Sequence, residues 1–212
     1  MRIVILANAP VVADHRLGAC IDDADYLIAA DGGGVVLSGL GRAPHLLIGD
    51  LDSIDSQSLT FFEASGTEVH RYPPEKDETD LELALQAAVS RGAHTIDLFC
   101  VLGGRWDHTF ATIAMLSMPM LADIRVRIYA EQQTIELIRS TAIIHGQVGD
   151  VVSLLPMTPT VNGITTTGLA YPLADATLFF ERSRGVSNVL TATSALVTIR
   201  DGLLLCVHNE SV

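Results

Sequence analysis

Up to about residue 130 the chain alternates short apolar runs with longer amphipathic stretches. The runs at 2–7, 25–30, 45–49, 68–72, 95–102 and 124–130 have the length and composition of strands. The stretches between them read as helices. The clearest helix is expected over 80–90, where Leu81, Ala84, Leu85, Ala88 and Val89 recur on one face at helical spacing. Strands alternating with helices imply βαβ units and a mostly parallel sheet. The pattern changes near residue 131, where short β runs begin at 141–145, 150–155, 160–166, 177–181, 194–200 and 203–208. Gly146, Gly149, Pro156, Pro159, Gly163, Gly168, Pro172, Gly185 and an Asp201-Gly202 hairpin signal punctuate them. The expected architecture is an α/β N-terminal domain over 1–133, followed by an all-β C-terminal domain over 134–212.

Four of the apolar runs in the first half end in carboxylates or glycines. The clusters are Asp31-Gly32-Gly33-Gly34, Gly49-Asp50-Leu51-Asp52-Ser53, Lys76-Asp77-Glu78-Thr79-Asp80 and Gly103-Gly104-Arg105-Trp106-Asp107-His108. In an open α/β sheet the carboxyl ends of parallel strands share one crevice, so clusters far apart in sequence can meet there. Several carboxylates, two glycine turns, a lysine and an arginine suit a magnesium–polyphosphate site.

Each cluster also has a plainer reading. Asp50 and Asp52 repel unless a cation bridges them, yet they also fit a polar turn with Ser53 or Asp55 capping the next helix. Thr79 with Glu82 fits a capping box, and Asp80 suits the first turn of that helix. Lys76 and Asp77 precede the helix and have no such duty. Gly103-Gly104-Arg105 opens a helix whose N-terminus favours anions, with Asp107 as a candidate N-cap. His108 is read as a hydrogen-bonding or packing residue as readily as a base, and Trp106 as core or interface. No GxGxxG or GxxxxGK[ST] spacing occurs, so neither a Rossmann fingerprint nor a P-loop is present.

Composition narrows the classes. At 212 residues, 49% hydrophobic and 18% charged, the chain has material for a substantial core. A formal charge of −12 argues against a general nucleic-acid binder. Three scattered cysteines without a CxxC pair fit neither a disulfide framework nor a zinc knuckle. Residues 1–6 read as a first strand, no apolar stretch approaches membrane-spanning length, and a cytoplasmic location without membrane association is expected.

The ordered set of motifs resembles the thiamine pyrophosphokinase family. The resemblance rests on Ala30-Asp31-Gly32-Gly33, the run from Pro44 to Ile54, Lys76-Asp77-x-Thr79-Asp80 and Gly103-Gly104-Arg105-x-Asp107-His108. Val152 to Pro156, Gly168-Leu169-x-Tyr171-Pro172-Leu173 and Gly185-Val186-Ser187-Asn188 extend it through the second half. The chain departs from the pattern at Gly34-Val35-Val36 and at His45, where an aspartate is common. The resemblance implies a C-terminal β-sandwich, a homodimer with shared active sites, and transfer of the pyrophosphoryl group of ATP to thiamine, giving thiamine diphosphate and AMP. It implies Mg2+ held by Asp50, Asp52 and Asp80, with Asp77 alongside and Lys76 and Arg105 assisting the chemistry. Asp31, Gly32, Gly33, Ser53, Thr79, Gly103, Gly104, Asp107 and His108 would line the nucleotide crevice, while Ser187 and Asn188 would hold thiamine. The rival readings are a related pyrophosphokinase acting on another alcohol, such as a pterin, and a non-catalytic nucleotide- or thiamine-binding protein.

Overall fold

Ile3, Val4, Ile5 and Leu6 are fully buried, as are Ile28, Leu46, Leu47 and Ile96. Strands with no polar face need cover on both sides, which is what helices crossing over a parallel sheet supply. In the computed structural model, which describes residues 1–9 and 14–211, the chain divides into two units, Met1–Glu131 and Gln132–Val212. The division falls two residues before the expected 133/134 boundary.

The first unit holds six strands: β1 (Arg2–Leu6), β2 (Tyr26–Ala30), β3 (Leu46–Gly49), β4 (Glu68–Arg71), β5 (Thr95–Phe99) and β6 (Arg125–Ala130). All neighbours pair in parallel, in the order β6-β5-β1-β2-β3-β4. Among the described residues five α-helices connect them: α1 (Leu17–Asp22), α2 (Gly33–Gly39), α3 (Ser56–Ala64), α4 (Asp80–Ser90) and α5 (Trp106–Met115). Helix α4 occupies the residues its periodicity predicts and packs on β2 and β3. Strand β5 is shorter than the 95–102 run, because Cys100 adopts φ 54 and carries the chain out of the sheet. One charge lies at the centre of this sheet. Asp97 of β5 is fully buried and receives Arg2 Nε at 2.8 Å and Arg127 Nε at 2.7 Å from the two flanking strands. A buried carboxylate is tolerable only with such partners.

The second unit is a β-sandwich of antiparallel strands. Its strands are β7 (Gln133–Ile138), β8 (Thr141–His145), β9 (Val151–Pro156), β10 (Thr160–Thr167), β11 (Ala176–Phe179), β12 (Asn188–Val189), β13 (Ser194–Thr198) and β14 (Leu204–Asn209). One sheet runs β12-β9-β14-β7 and the other β11-β10-β13-β8. Ile138, Ile144, Val152, Leu154, Val161, Ile164, Leu178, Val197 and Leu204 fill the core. Strand β7 was not expected from the pattern. No glycine or proline marks its start, and Glu131, at φ 56, makes the preceding turn instead. The Asp201-Gly202 hairpin expectation is corrected: β13 and β14 lie in different sheets, so this turn carries the chain from one sheet to the other. Gly202, at φ 96, suits it, since a Cβ there would stand 2.7 Å from the Thr160 carbonyl oxygen.

Asp150, buried before β9, ties the end of the chain to this sandwich. It accepts from Gln147 N and Ser211 N, both at 2.8 Å, and its Oδ2 lies 2.8 Å from His208 Nε2. Burial alone would raise its pKa, but these hydrogen bonds outweigh burial and hold it at about 2, against 3.8 for a free aspartate. A carboxyl with a depressed native pKa adds stability that is present above pH 3.8 and lost as pH falls toward 2. Asp150→Asn is therefore expected to lower unfolding free energy at pH 7 by about 2 kcal/mol. Urea titrations across acidic pH should show the gap between wild type and variant closing over that window.

Candidate active site

The chain leaves β1 toward β2, β3 and β4 on one side and returns to β5 and β6 on the other, so the sheet's switch point lies between β1 and β5. Ligands of open α/β sheets bind outside the carboxyl ends of the strands at such a point. A cavity of about 670 Å3 opens there. Its wall comprises Ala7-Asn8-Ala9 after β1, Asp31 after β2, Asp50 after β3, Lys76 and Thr79 before α4, Asp80 at the first position of α4, Cys100, Gly103, Gly104 and Arg105 between β5 and α5, and His108 in the first turn of α5. All four strand-end clusters contribute to one crevice.

Its acidic rim is tightly drawn. One carboxylate oxygen from each of Asp31, Asp50 and Asp52 lies within 4.8 Å of the other two. Asp31 and Leu51 take left-handed φ values of 45 and 65, which turn the chain sharply at the ends of β2 and β3. Gly49, at φ 146, allows the close approach of Asp80: a Cβ on Gly49 would stand 3.2 Å from both Asp31 Cβ and Asp80 Cγ. The family resemblance implied Asp50, Asp52 and Asp80 as metal ligands; the oxygens that lie within 4.8 Å of one another are those of Asp31, Asp50 and Asp52. Asp31 Oδ1 and Asp80 Oδ1 are both buried without a hydrogen-bond partner. Lys76 Nζ does lie 3.1 Å from Asp80 Oδ1, as an ion-pair contact that misses hydrogen-bond geometry. Burial pushes the Asp80 pKa up, the Lys76 ammonium pulls it down, and the Asp31 and Asp50 carboxylates add to the rise. Converging hard oxygens, with Asp31 Oδ1 buried and without a hydrogen-bond partner, fit a divalent cation such as magnesium.

Ser53 and Asp55 divide the duties that the sequence left open. Asp55 caps α3, accepting from Gln57 N and Ser58 N. Ser53 Oγ sits 2.9 Å from Asp31 Oδ2 and 3.0 Å from Asp52 Oδ1, where its one proton can serve either. Thr79 has both roles, capping α4 through Glu82 N at 3.2 Å and lining the crevice. The expectation that Asp107 caps α5 is corrected: Arg105 is the N-cap residue, and Asp107 stands in the first turn. Arg105 Nε donates to Asp107 Oδ1 at 3.1 Å, and this pairing holds the exposed Asp107 carboxyl at about 2.

Other expected residues lie outside the wall. Asp77 is exposed and does not line the crevice, and Gly32 and Gly33 do not line it either. The two glycines serve packing: a Cβ on Gly33 would stand 2.1 Å from the Leu6 carbonyl oxygen, and one on Gly32 would meet the Asn8 amide. Trp106 is not core, being 87% exposed. His45 has a structural duty, its Nδ1 accepting from Leu27 N at 3.0 Å while its ring stacks on Tyr26. Ser187 and Asn188 belong to the second unit. Ser187 takes φ 62 and its N–H donates to Ser153 Oγ at 3.1 Å. The Asn188 amide is internally committed, accepting from Tyr171 N at 3.0 Å and donating to Tyr171 O at 2.7 Å. Sequence reasoning missed Asn8, whose Nδ2 lies 3.3 Å from Asp31 Oδ2. The signal was its position just past the end of β1, at the same edge of the sheet as the four clusters. Cys100, Thr112 and Met115 also line the crevice and carry no motif.

Two family models match the chain: the thiamin pyrophosphokinase catalytic domain over residues 17–129 and the thiamin pyrophosphokinase vitamin B1 binding domain over 134–204. The chain is 28% identical over 207 residues to the thiamine pyrophosphokinase of Bacillus subtilis, covering 97% of each. It is 24% identical to a thiamin pyrophosphokinase of Caenorhabditis elegans, covering 97% of this chain and 88% of that one. The crystal structure of the Bacillus subtilis enzyme superposes with a TM-score of 0.90 at 26% identity over the whole of both chains. The Geobacillus thermodenitrificans enzyme gives 0.83 at 28% identity, covering 100% of this chain and 98% of that one.

The raised pKa of Asp80 means that its ionised form costs folding free energy above the native pKa and nothing below the unfolded one. Asp80→Asn is expected to raise the thermal midpoint of the metal-free protein at pH 7. The gain should shrink as pH falls through the carboxylate range, read by calorimetry with chelator present.

Proposed function

The chain belongs to the thiamin pyrophosphokinase family and catalyses pyrophosphoryl transfer to thiamine; we propose that it works with ATP and magnesium at the crevice of the first unit, as a cytoplasmic homodimer. The observation that carries the site assignment is the group of Asp31, Asp50 and Asp52 oxygens at a sheet switch point, beside Lys76 and Arg105. A match to a vitamin B1 binding domain over 134–204 disfavours a pterin as acceptor. A purely binding protein would have no use for so many like charges in one crevice.

In this reading Asp31, Asp50 and Asp52 hold the ion, with Asp80 alongside. When bound, magnesium supplies neutralisation of the phosphate charge that builds as AMP departs. Lys76 and Arg105 stabilise the equatorial oxygens of the transferred group. The hydroxyl oxygen of thiamine attacks the β-phosphorus in line, and the bond from that phosphorus to the AMP oxygen breaks. Asp107 is a poor proton acceptor for this step, because Arg105 keeps it ionised down to about pH 2. Asp77 is exposed and apart from the wall. Thiamine recognition is assigned to the second unit, with Ser187 in contact and Asn188 acting through the Tyr171 segment that its amide clamps.

A homodimer with shared sites is supported by Trp106 and Phe110, exposed by 87% and 66% and one turn apart on α5. Among the described residues no helix is long and apolar enough to cross a membrane.

Incubation with thiamine, ATP and Mg2+ should yield thiamine diphosphate and AMP by chromatography; release of ADP, or no turnover, contradicts the reading. Asp50→Asn should lower turnover at least a hundredfold while leaving the circular dichroism spectrum unchanged. Activity per chain should also fall on dilution, in step with dissociation seen by analytical ultracentrifugation.

A further inference from the structure

Leu51 is an unexpected residue for its place. It stands between Asp50 and Asp52 at φ 65, a left-handed conformation that glycine, asparagine or aspartate adopts readily and leucine does not. A residue selected for the turn alone would be one of those three. The leucine side chain is 7% exposed and packs in the cluster that includes Leu37, Leu47 and Phe62, with Ile54 against it. Around it the backbone of the turn is loosely tied, Asp52 N reaching Asp50 Oδ1 at 3.3 Å and Ile54 N reaching Leu51 O at 3.3 Å, while the Ser53 hydroxyl makes shorter contacts to Asp31 Oδ2 at 2.9 Å and Asp52 Oδ1 at 3.0 Å.

Two carboxylates flanking one residue splay apart when nothing opposes their repulsion. The long backbone hydrogen bonds oppose it weakly, and the Ser53 hydroxyl, with one proton between two carboxylates, opposes it only in part. A buried apolar side chain between them opposes it strongly, since the segment cannot swing outward without drawing leucine into water. We propose that Leu51 is a positioning residue for the reaction: its side chain pegs the 50–52 turn to the core, so that Asp50 and Asp52 face the same ion as Asp31. It touches neither ion nor substrate, and the proposal rests on the metal reading of the acidic rim.

The test is Mn2+ binding to the full chain, followed by electron paramagnetic resonance as a stand-in for Mg2+. Leu51→Gly keeps the backbone conformation and removes the peg. It is expected to weaken Mn2+ binding at least tenfold and to raise the Mg2+ concentration for half-maximal turnover by a similar factor, with KM for thiamine within twofold. Phe62→Leu, a comparable loss from the same core cluster away from the carboxylates, should lower the thermal midpoint and leave Mn2+ affinity within twofold. If Leu51→Gly does not fold, Leu51→Ala replaces it, with weaker binding expected in the same direction. Unchanged Mn2+ affinity in the Leu51 variant, or an equal loss in Phe62→Leu, overturns the proposal and leaves the metal site standing. Failure of the wild-type protein itself to bind Mn2+ removes the metal reading and the peg together.

Discussion

Everything in the first unit is arranged around mutual repulsion of carboxylates. Asp31, Asp50 and Asp52 converge within 4.8 Å, and Asp80 abuts the same strand end. Free in solution such groups would separate. Here they cannot, because Asp31 and Asp50 follow directly on strands, Asp52 lies two residues further along the same turn and Asp80 opens a helix, and burial of apolar side chains sets the place of these elements. Leu46, Leu47 and Ile48 hold β3, Ile28 to Ala30 hold β2, and Leu81, Ala84 and Leu85 hold α4. The hydrophobic core therefore carries the electrostatic cost of the site, an arrangement expected where a charged ligand repays that cost on binding.

The two cations of the crevice show the same economy. Lys76 lies against Asp80 and Arg105 against Asp107, so neither stands with a bare charge before a ligand arrives. The pairs differ in kind. Lys76 and Asp80 are largely withdrawn from water, and burial dominates the Asp80 carboxyl. Arg105 and Asp107 are exposed, where screening leaves an ion pair little net stability. Arg105 is thus the easier of the two to redirect toward phosphate.

Much of this was legible in the chain. Continuous apolar runs ended by carboxylates or glycines placed all four clusters on one edge of a parallel sheet, and α4 lies on the residues its periodicity marks. The missed parts share a cause: a residue doing the work of another type. Glu131 turned the chain where glycine was sought, which hid β7; Arg105 occupied the N-cap position for which Asp107 was the natural candidate. Asn8 carries no charge and fell outside a search for carboxylates, although its amide steadies Asp31. Asp31 was read at the nucleotide crevice, but its closeness to Asp50 and Asp52 was not legible, because sequence spacing does not reveal that β2 and β3 are neighbours. Asn188 was legible as a motif but not as a clamp, since its partner Tyr171 lies 17 residues away.

If the carboxylate rim is a cation site held together against its own charge, a divalent ion must stabilise the folded state through those residues. The direct measurement is the thermal unfolding midpoint as a function of Mg2+ concentration, without nucleotide, for wild type and Asp50→Asn. Binding to the native state alone raises stability with the logarithm of ligand concentration. The midpoint is expected to climb with Mg2+ in the wild type and to stay flat in Asp50→Asn. A flat wild-type curve, or an equal climb in both proteins, would contradict it.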